Sequence, residues 1–97
     1  MIANIFKINI IYLHYMTNTE LYYLDYCPFC HKLKGFLEEK KVNFKLVDVT
    51  NDLKLKEEIK SKTGHQTFPQ LIIGGEFVGD CSSTIENFEK LKEEYNL

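Results

Sequence analysis

The stretch Leu21-Tyr22-Tyr23-Leu24-Asp25-Tyr26-Cys27-Pro28-Phe29-Cys30-His31 decides how this chain folds. Its first four residues are apolar and β-prone, the pattern of a strand. Beyond Cys27 the apolar residues recur at helical spacing, with Cys30, Leu33, Phe36 and Leu37 on one face. Pro28 suits the first helical position, because it has no N–H to lose and its φ is already helical. A strand therefore runs into a helix at two cysteines one helical turn apart. Cys27, at that helix start, meets unpaired backbone N–H groups and the positive end of the helix dipole, both of which favour an anion. The thiolate is the reactive form of cysteine. Cys30, three residues on, is close enough to attack a disulfide formed on Cys27. The pattern reads as a thiol–disulfide redox site.

Alternating elements extend outward from this junction. Residues 20–24 form the strand and 28–41 the helix. Residues 42–49 read as a second strand, and 52–63 as a helix with a thin apolar stripe of Leu55 and Ile59, ended by Gly64. Residues 69–73 and 76–78 make two further strands. Gly74-Gly75 joins them as a two-residue turn whose central positions both take φ > 0. Ser83-Thr84-Ile85-Glu86 has the capping-box pattern that opens a last helix, burying Ile85, Phe88, Leu91 and Tyr95. The order is β-α-β-α-β-β-α. Its first β-α-β unit requires parallel strands and a right-handed crossover, and its closing hairpin antiparallel ones. The expected architecture is α/β and thioredoxin-like: a four-stranded mixed sheet flanked by helices.

Composition limits the function classes. The 97 residues suffice for one small core and not for two. Twelve basic against 14 acidic residues leave a net charge of −2 and no basic footprint, so nucleic acid is not an expected partner. Three cysteines are too few and too unevenly spaced for a secreted disulfide framework. One Cys-x-x-Cys pair plus an odd thiol fits a reducing compartment, and a cytoplasmic monomer is expected. Residues 1–18 read as an N-terminal extension and 19–97 as the domain. The leader is apolar, but Lys7, Asn9 and His14 interrupt it and no small-x-small cleavage site follows. It also falls short of an uncharged membrane span. An extra edge strand or a frayed extension is expected there, with Met16 an alternative start.

Three segments, in order, carry a family resemblance: Cys27-Pro28-Phe29-Cys30, then Thr67-Phe68-Pro69, then Gly79-Asp80-Cys81-Ser82. With Gly74-Gly75 between the last two, residues 19–95 closely resemble a dithiol glutaredoxin. The resemblance implies a glutathione-dependent oxidoreductase that reduces protein disulfides and glutathione mixed disulfides, with glutathione as cosubstrate and no metal. It implies a cis peptide bond before Pro69, which turns the Phe68 main chain toward the cysteinyl part of glutathione as a short added strand. It places the N–H groups of Asp80-Cys81-Ser82 and the Ser82 hydroxyl at the γ-glutamyl carboxylate. Phe29 flanks the sulfur, and Thr67 joins the groove. The implied partners are disulfide-bonded or glutathionylated proteins, ribonucleotide reductase among the candidates.

The departures from the family pattern are specific. A Lys or Arg is usual three or four residues before the first cysteine, at the glycyl carboxylate; Leu24 and Tyr23 stand there. Lys56 aligns with a position where the family often places Arg or Gln for the same carboxylate. Asp80 replaces the usual glycine, Ser83 a common aspartate, and Phe29 the commoner tyrosine. The missing base keeps open a redoxin of the same fold that takes electrons from thioredoxin reductase, although such proteins usually carry a Trp absent here. Thioredoxin proper lacks support, since Trp-Cys-Gly-Pro-Cys does not occur. A metal or iron–sulfur cluster carrier is the alternative of another class; a second Cys-x-x-Cys is missing for zinc, and Pro28 disfavours a cluster. Cys30-His31 completes a haem-attachment string, which would need export and an axial partner. Cys81 reads either as a packing residue or as a third thiol near the site.

Overall fold

The computed structural model describes residues 18–97, so the extra strand or frayed extension expected over the leader lies outside the described residues. Eight elements follow: β1 (Thr19–Tyr23), α1 (Pro28–Glu39), β2 (Lys45–Asp48), α2 (Leu53–Thr63), β3 (Gln70–Ile73), β4 (Glu76–Gly79), α3 (Cys81–Glu86) and α4 (Phe88–Tyr95). The strands make one sheet in the order β2-β1-β3-β4. β1 pairs parallel with β2, placing Leu21 beside Leu46, and antiparallel with β3, placing it beside Leu71. Gly74 and Gly75, at φ 61° and 84°, turn β3 into β4 as the dipeptide requires. Leu71 opposes Gly79 while Ile72 opposes Phe77, so Val78 is one extra residue in β4. That bulge re-aims the chain where β4 hands over to α3.

Side-chain alternation sorts the two sheet faces. Leu21, Leu71 and Ile73 point to the main core, where Leu33 and Leu37 of α1, Val42, Cys81 and Phe88 meet them. Phe36 packs edge-on against Phe88, with ring centroids 5.1 Å apart. Gln70 and Ile72 point to the opposite face, where Gln70 reaches Thr63 of α2. Helices thus cover both faces, and the sheet is the mixed four-stranded one expected.

Most element ends lie within a residue or two of the sequence reading; the second strand and the last helix differ for definite physical reasons. The strand expected over 42–49 is shorter, because Lys41 takes φ 59° and the Val42 N–H closes onto the Leu37 carbonyl at 3.0 Å. Val42 finishes the helix and fills the core instead of pairing in the sheet. The last helix does not open at Ser83. Asp80 is the N-cap and Ser83 is its N3 partner, each bonding the other's backbone N–H. A carboxylate three residues upstream is the stronger acceptor for the first free N–H groups, so it takes the cap. The helix then breaks at Asn87 (φ −104°, ψ 17°), whose Nδ2 donates to the Ser83 carbonyl at 2.9 Å. An Asn amide competing for backbone groups is a known helix interrupter. α4 restarts beyond it and buries Phe88 and Leu91.

Candidate active site

Cys27 is the N-cap of α1, in extended backbone (φ −95°, ψ 115°), with Pro28 opening the helix. Its Sγ accepts the Cys30 N–H at 3.2 Å, so sulfur takes the role that Ser or Asp oxygen usually fills. An ionised sulfur accepts such a bond better than a neutral thiol. Cys27 is half-buried; Cys30 is fully buried. The Leu24 N–H points at Cys30 Sγ from 3.5 Å. Burial, and then the hydrogen bond with Cys27, push the Cys30 thiol from 9.0 up to about 12, so it holds its proton at neutral pH. Cys27, Cys30 and Cys81 are all free thiols.

The turn before Cys27 is braced from α1 and from the end of β2. His31 Nε2 lies 2.6 Å from the Asp25 carbonyl, which only accepts, so that nitrogen carries a proton. The Asp25 N–H donates to Thr50 Oγ1 at 2.8 Å, and the Thr50 hydroxyl donates to Asp48. The histidine of the haem string is therefore occupied in holding the loop.

Two further segments complete the site. The Phe68–Pro69 bond is cis, as the resemblance implies, and the Phe68 carbonyl sits 3.9 Å from Cys27 Sγ. Asp80 Oδ1 accepts from the Ser83 N–H and hydroxyl, both at 2.9 Å, which holds its carboxyl below the usual carboxylate range. A groove of about 300 Å³ runs between these parts, lined by Phe29, Thr67, Phe68, Pro69, Asp80, Cys81 and Ser82. Seven of the residues singled out from sequence thus share one groove. Phe29, at 61% exposure, stands at its rim. Cys81 is 4% exposed and belongs to the core as well; burial raises its thiol, and Lys32 opposes that shift. Lys56 sits half-buried on α2 and does not line the groove. A larger depression of about 440 Å³, around Asn18, Asn43 and Tyr95, contains no cysteine, histidine or carboxylate side chain.

Sequence reasoning passed over Gln70. It is fully buried and bonds to Thr63, His65 and Thr67. The signal was an amide beside Pro69 in an otherwise apolar strand, since buried amides require partners.

A mixed sheet with a Cys-x-x-Cys at its first strand–helix junction and a cis-proline facing the leading thiol defines the thioredoxin-like dithiol oxidoreductases. Sequence comparison narrows the class. The family model described as Glutaredoxin matches residues 15–78. Glutaredoxin 3 of Escherichia coli (strain K12) is 33% identical over 66 residues, which span 68% of this chain and 80% of that protein. Monothiol glutaredoxin-S14, chloroplastic, of Arabidopsis thaliana is 37% identical over 70 residues, 70% of this chain and 40% of that one. In fold, the wheat glutaredoxin crystal structure matches with a TM-score of 0.71 at 24% identity, covering 80% of this chain and 78% of that one. The buckwheat glutaredoxin–glutathione complex matches at 0.68 and 20% identity, covering 82% and 76%. The chain belongs to the glutaredoxin family. It is a thiol–disulfide oxidoreductase, as members of that family are.

Proposed function

We propose that this oxidoreductase is glutathione-dependent, with Cys27 as nucleophile and Cys30 as resolving thiol. The observation that carries the reading is a half-buried sulfur that caps α1 and meets the carbonyl of Phe68, a residue that lines the groove. Cys27 attacks the glutathione sulfur of a glutathionylated protein; the Cys27–glutathione bond forms as the protein thiolate leaves. A second glutathione thiolate then attacks that bond, releasing glutathione disulfide and restoring Cys27. With a protein disulfide, Cys27 bonds one half and Cys30 displaces it. Two glutathione molecules then reduce the Cys27–Cys30 disulfide. In the groove, the Phe68 main chain pairs with the cysteinyl part of glutathione, between Thr67 and Pro69. The N–H groups of Cys81 and Ser82, which have no intrahelical partner at a helix start, and the Ser82 hydroxyl take the γ-glutamyl carboxylate. Asp80 faces the γ-glutamyl ammonium. Lys56 serves the glycyl carboxylate. The buckwheat structural neighbour, a complex with glutathione, supports the ligand class. The protein acts as a cytoplasmic monomer on disulfide-bonded or glutathionylated proteins.

Turnover of a glutathione mixed disulfide, coupled to glutathione reductase with thioredoxin reductase as a parallel donor, tests the reading. Glutathione-driven turnover is expected. Activity with thioredoxin reductase alone would overturn glutathione dependence. Cys27→Ser abolishes activity on both substrate classes. Cys30→Ser keeps deglutathionylation and loses reduction of protein disulfides; equal loss of both would refute the division of roles.

A further inference from the structure

The strand Gln70–Ile73 is fully buried, and Gln70 is its one polar residue. An amide in such a place costs stability unless its donors and acceptor are used. All are used here. Gln70 Nε2 donates to the His65 carbonyl at 2.9 Å and to the Thr67 carbonyl at 3.0 Å. Its Oε1 accepts from the Thr63 hydroxyl at 2.8 Å, whose single proton is shared with the Ile59 carbonyl at 2.9 Å and whose oxygen accepts from the His65 N–H at 3.2 Å. The amide has one admissible orientation, because the flipped form would aim oxygen at two carbonyls. One side chain thus ties the end of α2 and the loop at 64–67 to the sheet. The second carbonyl it holds, Thr67, directly precedes Phe68, whose own carbonyl faces Cys27 Sγ at 3.9 Å.

We propose that Gln70 is a positioning residue that sets the docking edge at Thr67-Phe68 in place for the main chain of an incoming cysteinyl substrate. It touches neither the thiol nor the substrate and acts through two carbonyls. An apolar residue would fill the same space yet leave both carbonyls without donors. His65 and Thr67 are exposed, so those carbonyls would then turn to water and carry the edge with them. The inference rests on substrate docking at Phe68 and is independent of which reductant regenerates the thiol.

Two variants test it. Gln70→Met keeps length and volume and removes both donors; Gln70→Glu keeps shape and acceptor and replaces the donors with a titratable oxygen. The readouts are amide hydrogen exchange along 65–68, kcat and KM for a glutathione mixed disulfide of a cysteine peptide, and the alkylation rate of Cys27 by iodoacetamide. In Gln70→Met, loop exchange and KM each rise about tenfold, while kcat stays within about twofold and alkylation is unchanged. In Gln70→Glu, the activity deficit, taken as a ratio to wild type at each pH, narrows as pH falls, because the protonated carboxyl regains one donor. Unchanged loop exchange overturns the proposal, as does a loss confined to kcat and alkylation or a deficit that ignores pH. If the wild-type protein fails to turn over the mixed disulfide, the glutathione reading falls, and loop exchange alone decides the role of Gln70.

Discussion

Cys27 and Cys30 lie three residues apart on one helix and occupy different media, the first at a half-buried helix tip and the second in the core. The spacing was legible in the sequence; the contrast in burial needed the sheet beneath it. Burial first, and the charge and hydrogen bond of Cys27 after it, raise the Cys30 thiol from 9.0 to about 12. The raised value means that between these limits the unfolded chain has shed a proton the folded one retains. The stability of the reduced protein therefore falls as pH climbs from about 9 through about 12, and Cys30→Ala flattens that fall in denaturant titrations at stepped pH. A stability independent of pH in that window would contradict the burial argument. Asp80 and Ser83 each read as an isolated departure from the family pattern, yet they form one reciprocal cap. The sequence reading assigned the capping box to Ser83 and Glu86, because that four-residue pattern fits the rule equally well and only the path out of β4 decides between them. Asp80→Ala costs about 1 kcal/mol of stability, readable in thermal or denaturant unfolding, and Asp80→Asn markedly less.

Elements were legible wherever periodicity and punctuation agreed. Gly64, at φ 77°, stops α2 where a left-handed residue was expected, and Gly74-Gly75 makes the hairpin. The break at Asn87 was not legible, since Ile85, Phe88, Leu91 and Tyr95 keep helical spacing across it. Periodicity survives an interruption that one amide causes by bonding back to Ser83. The β4–α3 junction is closely packed. A Cβ on Gly79 would lie 2.5 Å from Thr84 Oγ1 and 2.8 Å from Ser83 Oγ, and Thr84 is fully buried. Gly79→Ala therefore displaces α3 and the groove segment Asp80-Cys81-Ser82 together. A loss of about 1–3 kcal/mol in unfolding and a higher KM for glutathione substrates are expected. Unaltered values of both would show that the junction gives way elsewhere.

At the scale of the whole molecule, the order of elements came from the sequence because each βα and ββ connection admits few arrangements. The groove came mostly from resemblance, and Gln70 from neither, since a buried amide declares its partners only in three dimensions. Leu71 sits at the centre of the sheet, fully buried between β1 and β4, so Leu71→Ala should cost about 2–5 kcal/mol in denaturant unfolding. A loss under about 1 kcal/mol would mean that the site collapses freely around the missing atoms. Cys30 shares that interior, and its burial couples electron transfer to folding. Dithiol and disulfide forms are two folded states of one chain, each with its own unfolding equilibrium. The thermodynamic cycle that joins them equates the difference in their unfolding free energies with the difference in reduction potential between the folded and unfolded chain. Any substitution that loosens the packing around Cys30 unequally in the two forms thereby resets the redox poise of the protein, however far it lies from Cys27.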